Sequence, residues 1–262
     1  MKILFIGDVV GKPGRQAVAT LLPKLKREHQ LDFVIANGEN SAHGAGMTSA
    51  TLKELLAAGV DVITAGDHVW DQKGFEQEID SFAQVVRPLN VAQATPGRGS
   101  VVVEVGEKAR VGVINVMGRV FMPANDCPFR AAQAEVKKLR QQTSVIVVDI
   151  HAEATSEKIA FGRYLDGQVS LVVGTHTHVQ TSDDQILPKG TAYLSDAGMC
   201  GPHDSVLGRD VDAVIRRFVS GMPQKLEVAS GKIELCGCVV EVDENTGQAQ
   251  SIQRLRVPYA PQ

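Results

Sequence analysis

Carboxylate, amide and imidazole side chains recur in this chain just after short apolar runs. Asp8 follows KILFIG, and Glu39 and Asn40 follow FVIANG. Asp67 and His68 follow VDVITAG, His151 follows SVIVVDI, and His176 and His178 follow SLVVGT. Carboxylate oxygens suit hard cations, and imidazole suits Fe, Zn, Mn, Co and Ni. The mixture favours Mn, Fe or Zn over Ca. Two such metals about 3.5–4 Å apart clamp a phosphate and lower the pKa of a water between them. The expected chemistry is attack of that water on phosphorus, with a separate general acid for the departing alkoxide.

Each residue alone has a plainer reading. Asp8 suits a turn or helix cap. Glu39 follows the Asn37-Gly38 turn signal and reads as a surface acid. His176 and His178 alone read as hydrogen-bonded imidazoles at a strand end. On an extended chain, residues two apart point the same way, so both rings are expected to face one cavity. Gly174 permits close backbone approach there. A buried charge needs a partner, and two metals would supply one to the whole set.

The elements that must position these groups follow from periodicity. The short apolar runs read as buried strands. RQAVATLLPKLKREHQ has helical spacing, with Pro23 predicting a kink or a late start. TSATLKELLAAG is a helix capped by Thr48 or Ser49 and stopped at Gly59. GFEQEIDSFAQ and FRAAQAEVKKLRQQ supply two more helical segments. Strand–helix alternation indicates an α/β fold with mainly parallel strands. In such sheets, ligands bind beyond the carboxyl ends of the strands. Later, SVVVEVGEKARVGVINVMG reads as two strands around a Gly106-Glu107-Lys108 turn, and TAYLSDAG as a short strand. The last segment is a hairpin turning at Asn245-Thr246-Gly247. A second, mixed sheet is therefore expected against the first, with helices outside both. Nothing along residues 1–262 marks a boundary, so a single domain is expected.

Composition narrows the function further. The chain has 262 residues, is 44% hydrophobic and carries a net charge of −3. That balance disfavours a stable nucleic-acid complex or an anionic membrane as partner. Neither a leader nor a membrane-spanning run is evident, so a cytoplasmic protein is expected. Cys127 and Cys200 stand singly, and Cys236 and Cys238 lack the two-residue spacing of metal or redox pairs. Free thiols are expected.

The segments GDVVGKPGR, NGENSAHGAGMT, AGDHVWD, DIHAEATSEK, GTHTHVQT and GTAYLSDAGMCGP are specific when taken together. With them the chain resembles the calcineurin-like metallophosphoesterases, and within these the YmdB-like branch of cyclic-nucleotide phosphodiesterases. The resemblance implies a four-layer α/β/β/α sandwich of two mixed sheets with the site at one sheet edge, and a homo-oligomer. It implies a first metal on Asp8, Glu39, Asn40 and His178, and a second on Glu39, Asp67, His151 and His176. Glu39 would bridge, and His68 would be the general acid. The metals would be two divalent or trivalent ions, iron or manganese ahead of zinc. The implied substrates are small nucleotide phosphodiesters, 2′,3′-cyclic ahead of 3′,5′-cyclic. The alternatives are a phosphomonoesterase with the same site, or a metal-dependent regulatory or binding protein.

Two departures stand out. Val10 occupies the histidine position of the wider superfamily's Asp-x-His motif, a vacancy that Asn40 would fill. Asp67 stands where the family's Gly-Asn-His has asparagine. Other candidates are weaker. Lys12 and Arg15 miss the phosphate-loop spacing. His43 and His203 lie in Gly-rich loops and read as surface histidines that could line a cleft. Trp70 reads as core packing ahead of base stacking, and Arg119, Phe121 and Phe129 as a substrate wall or an oligomer contact.

Overall fold

The computed structural model describes residues 1–106 and 109–260, so Glu107 and Lys108 of the expected hairpin turn lie outside the described residues. The chain begins β1 (Lys2–Ile6), β2 (Asp8–Val9), α1 (Gly11–His29), β3 (Phe33–Asn37), α2 (Ser49–Ala57), β4 (Val62–Thr64) and β5 (Val85–Val86). It continues β6 (Ser100–Val105), β7 (Ala109–Met117), α3 (Pro128–Leu139), β8 (Val145–His151), α4 (Thr155–Leu165), β9 (Leu171–Thr175), β10 (Gln185–Ile186) and β11 (Ala192–Leu194). It closes with β12 (Met199–Pro202), α5 (Val211–Ser220), β13 (Ile233–Val242) and β14 (Ala249–Tyr259).

The apolar strands have no polar face because both of their faces are buried. In β1, Leu4 and Ile6 join a core beneath α1 and α2, while Ile3 and Phe5 join a core between two sheets. In β8, Val145 and Val147 enter that same inter-sheet core, while Ile146, Val148 and Ile150 face α3 and α4. The side-chain period of two thus divides each strand between two layers. The result is helices, sheet, sheet, helices. The first sheet runs β2-β12-β13-β1-β3-β4-β5, with β14 also on β13, and the second runs β10-β11-β9-β8-β7-β6. Both are mixed. β1, β3, β4 and β5 are parallel, as are β7, β8, β9 and β11, whereas β13 is antiparallel to β1.

One local expectation changes and another is narrowed. GFEQEIDSFAQ forms two 3₁₀ turns, Phe75–Gln77 and Ile79–Ser81, and no α-helix. Phe75, Ile79 and Phe82 still reach the first core. The leading residue, Gly74, sits at φ 88 and offers no side-chain cap, so nothing nucleates a longer helix. The first helix does not start late either: α1 begins at Gly11 and carries Pro23 inside it. Pro23 is exposed, where water can take the carbonyl bond it leaves open. Thr48 is the cap of α2, accepting from the Thr51 backbone N–H.

Candidate metal centre

The carboxyl ends of β1, β3 and β4 in one sheet meet those of β8 and β9 in the other. Asp149 of β8 ties the sheets together just beneath this edge. Its Oδ2 accepts from Thr64 Oγ1 at 2.5 Å and Asn37 Nδ2 at 3.3 Å, and its Oδ1 from Thr175 Oγ1 at 2.7 Å. Burial pushes the Asp149 carboxyl up to about 7, against the opposing charge of His151 and these hydroxyls. Asn37 Oδ1 in turn accepts from the Glu39 N–H at 3.1 Å and shapes the loop that presents Glu39.

Above this floor, His151 is fully buried. Its Nδ1 lies 2.9 Å from Thr175 Oγ1. The single proton of that hydroxyl goes to Asp149, so His151 donates from Nδ1 and turns the Nε2 lone pair upward. Three atoms crowd that lone pair: Asp67 Oδ1 at 2.9 Å, Glu39 Oε1 at 3.1 Å and His176 Nδ1 at 3.0 Å. Glu153 lies 3.2 Å from His176 Nε2, so that nitrogen carries the donor proton and His176 Nδ1 is also an acceptor. Four acceptors converging on one point need a cation among them. Ligand atoms of Glu39, Asp67, His151 and His176 all lie within 4.8 Å of one another, and the cluster can hold a metal ion. Without one, a proton serves: burial opposes it, but Glu39 and Asp67 raise the pKa of His151 well above its ordinary value. Burial likewise opposes ionisation of Asp67, yet the protonated His151 beside it holds it far below the usual carboxylate range.

Space for this convergence is made by glycine. A Cβ on Gly66 would lie 2.3 Å from Glu39 Oε2 and 2.4 Å from His151 Nε2. A Cβ on Gly174 would lie 1.8 Å from the Ser195 carbonyl oxygen.

Asp8, Asn40 and His178 form an adjoining group. Asn40 Nδ2 is 3.3 Å from Asp8 Oδ1, 3.2 Å from Glu39 Oε1 and 3.2 Å from His178 Nε2. His178 donates from Nδ1 to the Leu207 carbonyl at 3.0 Å, which leaves Nε2 as the acceptor facing Asp8 at 3.6 Å. Burial disfavours the Asp8 carboxylate, but the positive charge that His178 and His151 carry when protonated holds its pKa well below the ordinary value. Glu39 touches both groups through one oxygen.

His68 stands apart at the rim. Its Nδ1 is 2.8 Å from Asp71 Oδ2, and its Nε2 is 4.0 Å from Asp67. Its backbone N–H donates to Glu39 Oε2 at 3.1 Å. A cavity of about 290 Å³ opens here, with Glu39, Asn40, His68, Glu153, His176 and His178 in its wall.

Both rings of His176 and His178 do reach this cavity, but not along an extended chain. Strand β9 ends at Thr175, and His176 and His178 take φ of 98° and 64°. This left-handed backbone, costly without glycine, is held from below. Lys158 of α4 is buried and donates to the Thr175 carbonyl at 2.8 Å and to Asp196 Oδ2 at 2.7 Å. The same Asp196 oxygen accepts from the Thr177 N–H and hydroxyl. Sequence reasoning missed Lys158, Asp196 and Arg209. Arg209 lines the cavity and donates to the carbonyls of His43, Gly44 and Leu226. It has no carboxylate partner among the described residues.

The weaker candidates separate cleanly. Arg15 binds Glu54 and the Ser41 carbonyl, bracing the loop after Asn40. Lys12 and His43 line a different cavity, and His203 another. Trp70 packs against Phe75 and the first core. Phe129 packs on Phe161 and Tyr164, whereas Phe121 is exposed. Val10 is fully buried in the first turn before α1. All four cysteines are free.

Comparison with known proteins fits this architecture. Residues 4–255 match the family model described as YmdB-like protein. The chain is 48% identical over 257 residues to a Bacillus subtilis protein described as a 2′,3′-cyclic-nucleotide 2′-phosphodiesterase, covering 98% of this chain and 97% of that one. It is 39% identical to a putative phosphatase/phosphodiesterase of Mycoplasma pneumoniae, over 98% and 93% of the two chains. A crystal structure of a hypothetical protein from Thermus thermophilus superposes with a TM-score of 0.93 at 41% identity, covering 99% and 100% of the chains. A phosphatase structure from Mycoplasma pneumoniae gives 0.92 at 39% identity, over 98% and 93%. A match of such length and identity, on the same fold, makes this chain a member of the YmdB-like protein family.

Proposed function

We propose that the protein is a dinuclear metal-dependent phosphodiesterase acting on small nucleotides, with 2′,3′-cyclic phosphates as the preferred class. The observation that carries this reading is the His151 Nε2 lone pair, fixed by Thr175 and crowded by three further acceptors. Glu39, Asp67, His151 and His176 would hold one metal, and Asp8, Glu39, Asn40 and His178 the other. Turning the Asn40 amide over presents Oδ1 in place of Nδ2, an exchange that leaves its shape unchanged. When bound, the metals supply Lewis-acid charge to the phosphoryl oxygens and lower the pKa of the attacking water.

The remaining steps belong to side chains. Arg209 adds a fixed positive charge to a cavity wall that also carries Glu39 and Glu153. Glu153 keeps His176 in the tautomer whose Nδ1 faces inward. Asp71 accepts the Nδ1 proton of His68, which directs Nε2 toward the cavity. When His68 carries a second proton, on Nε2, it is thereby placed to give that proton to the leaving oxygen and to remain as the neutral Nδ1–H tautomer held by Asp71. The Bacillus subtilis relative's description favours a cyclic-nucleotide substrate. The Mycoplasma description keeps phosphomonoesters as the second reading.

One experiment tests both. Metal content is measured on protein purified without added metal, and the same sample is assayed on 2′,3′-cyclic, 3′,5′-cyclic and monoester nucleotides. About two metals per chain with turnover of the 2′,3′-cyclic class supports the proposal. Turnover confined to monoesters moves it to the second reading. Metal-loaded protein that binds nucleotides without hydrolysis makes it a binding protein.

A further inference from the structure

His178 and Leu207 line two cavities, the one described above and a neighbour of about 230 Å³. The two spaces share the wall formed where His178 Nδ1 donates to the Leu207 carbonyl. The neighbour falls below the roughly 300–1,000 Å³ of sites that enclose a whole drug-sized ligand, which suits one part of a ligand. Its chemistry differs from that of the metal cluster. Val179 and Leu207 are among its lining residues and are 59% and 48% exposed, large aliphatic side chains left open beside a polar centre.

The polar members are mostly committed elsewhere. Arg256 is paired with Glu234 at 2.6 Å, and His203 Nδ1 lies 3.5 Å from that same carboxylate. The pairing argues against a second phosphate subsite. Ser205 donates to the Pro202 carbonyl at 2.6 Å. Gln180 is the exception. Its Nε2 faces the carbonyls of Ala197, Gly237 and Leu255 at 3.3, 3.0 and 2.9 Å, which fixes which end of the amide is nitrogen. Its Oε1 is then an acceptor with no protein donor among the described residues, on a residue of the cavity wall. Apolar faces together with one oriented acceptor match a flat heterocycle that bears N–H donors on its edge.

We infer that this cavity receives the nucleobase of the substrate, between Val179 and Leu207, with Gln180 Oε1 accepting from a base N–H. The inference rests on the phosphodiesterase reading, and it makes Val179, Gln180 and Leu207 the residues that set the choice of organic group. Phosphate at the metal cluster and base beyond His178 would leave the ribose to span the shared wall.

The test compares 2′,3′-cyclic AMP with glycerol 1,2-cyclic phosphate, which has the same reacting ring and no base. In Val179→Ser and Leu207→Ser, the ratio of kcat/KM for the nucleotide over the base-free substrate should fall about tenfold, mainly through KM. An unchanged ratio in both variants, or a loss shared equally by both substrates, overturns the inference. Calorimetric titration of the metal-loaded proteins with 3′-AMP decides the matter without turnover. Binding at least fivefold weaker in the variants supports the cavity as a base site, and equal binding overturns it. Wild-type protein that binds 3′-AMP yet hydrolyses neither substrate overturns only the phosphodiesterase reading.

Discussion

Asp67 faces two imidazoles with one oxygen, 2.9 Å from His151 Nε2 and 3.3 Å from His176 Nδ1. An amide would fill the same space without the charge. Asp67→Asn should therefore weaken metal retention about tenfold, the scale on which groups around a metal tune affinity. It should also lower KM for an anionic phosphodiester, because one carboxylate leaves the site. Metal content after dialysis against a chelator, read with KM, checks both, and no change in either sinks this electrostatic account. His68 makes a separate prediction. His68→Asn should slow an alkoxide leaving group roughly 10²-fold while sparing p-nitrophenolate, which departs without a proton. Equal losses on the two substrates would remove His68 from the acid role. These residues were legible in the sequence because each ends an apolar run. Glu153, Asp71 and Arg209 were not, since an exposed acid or a loop arginine carries no signal until its neighbours are placed.

Helix α4 shows how an element can hide. Its inward positions include Glu157 and Lys158, polar residues where a helix pattern calls for apolar ones. Both have structural work to do. Glu157 accepts from the Arg119 and Val120 N–H groups and holds the loop after β7. Lys158 neutralises Asp196 and grips the end of β9. Lys158→Met should cost about 3–5 kcal/mol in urea unfolding, the usual result of leaving one buried charge unpaired. Adding Asp196→Asn should recover part of that loss. An unfolding midpoint within error of wild type would show that the ion pair is not what braces the turn. The strands were easier to read than this helix, because burial on both faces gives unbroken apolar runs. The left-handed backbone at His176 and His178 was invisible, since a histidine at that φ is unusual and follows from tertiary contacts.

At the scale of the molecule, the candidate site is built from both sheets at once. Glu39 and Asp67 belong to one, His151 and His176 to the other, and Asp149 ties the two beneath them. Metal removal should therefore loosen both sheets together. Chelation is expected to lower the thermal midpoint, because a ligand that binds only the folded state stabilises it. It should also raise amide exchange at residues 37–40, 64–67 and 175–178 in parallel. Exchange confined to one sheet would contradict a shared centre. The layered architecture was legible from the order of strands and helices, whereas the pairing of β1 with β13 was not, because no local pattern reports a partner so distant in sequence. No helix among the described residues is long and apolar enough to cross a membrane.

That pairing has a consequence for how the protein comes into being. Lys2 lies opposite Glu241 and Ile6 opposite Gly237, so β1 waits for almost the whole chain before gaining its antiparallel neighbour. Every candidate donor from Asp8 to His178 is translated before β13, the strand that joins β1 in the first sheet. During synthesis the chain carries all the candidate donors on an unfinished scaffold, because a domain folds as a unit only once its strands are present. A chain ended after Gly231 keeps every one of those side chains and lacks β13 and β14. If the proposed centre needs both finished sheets, this shortened chain is expected to retain no stoichiometric metal on purification, and stoichiometric metal in it would show that the donors come together without β13.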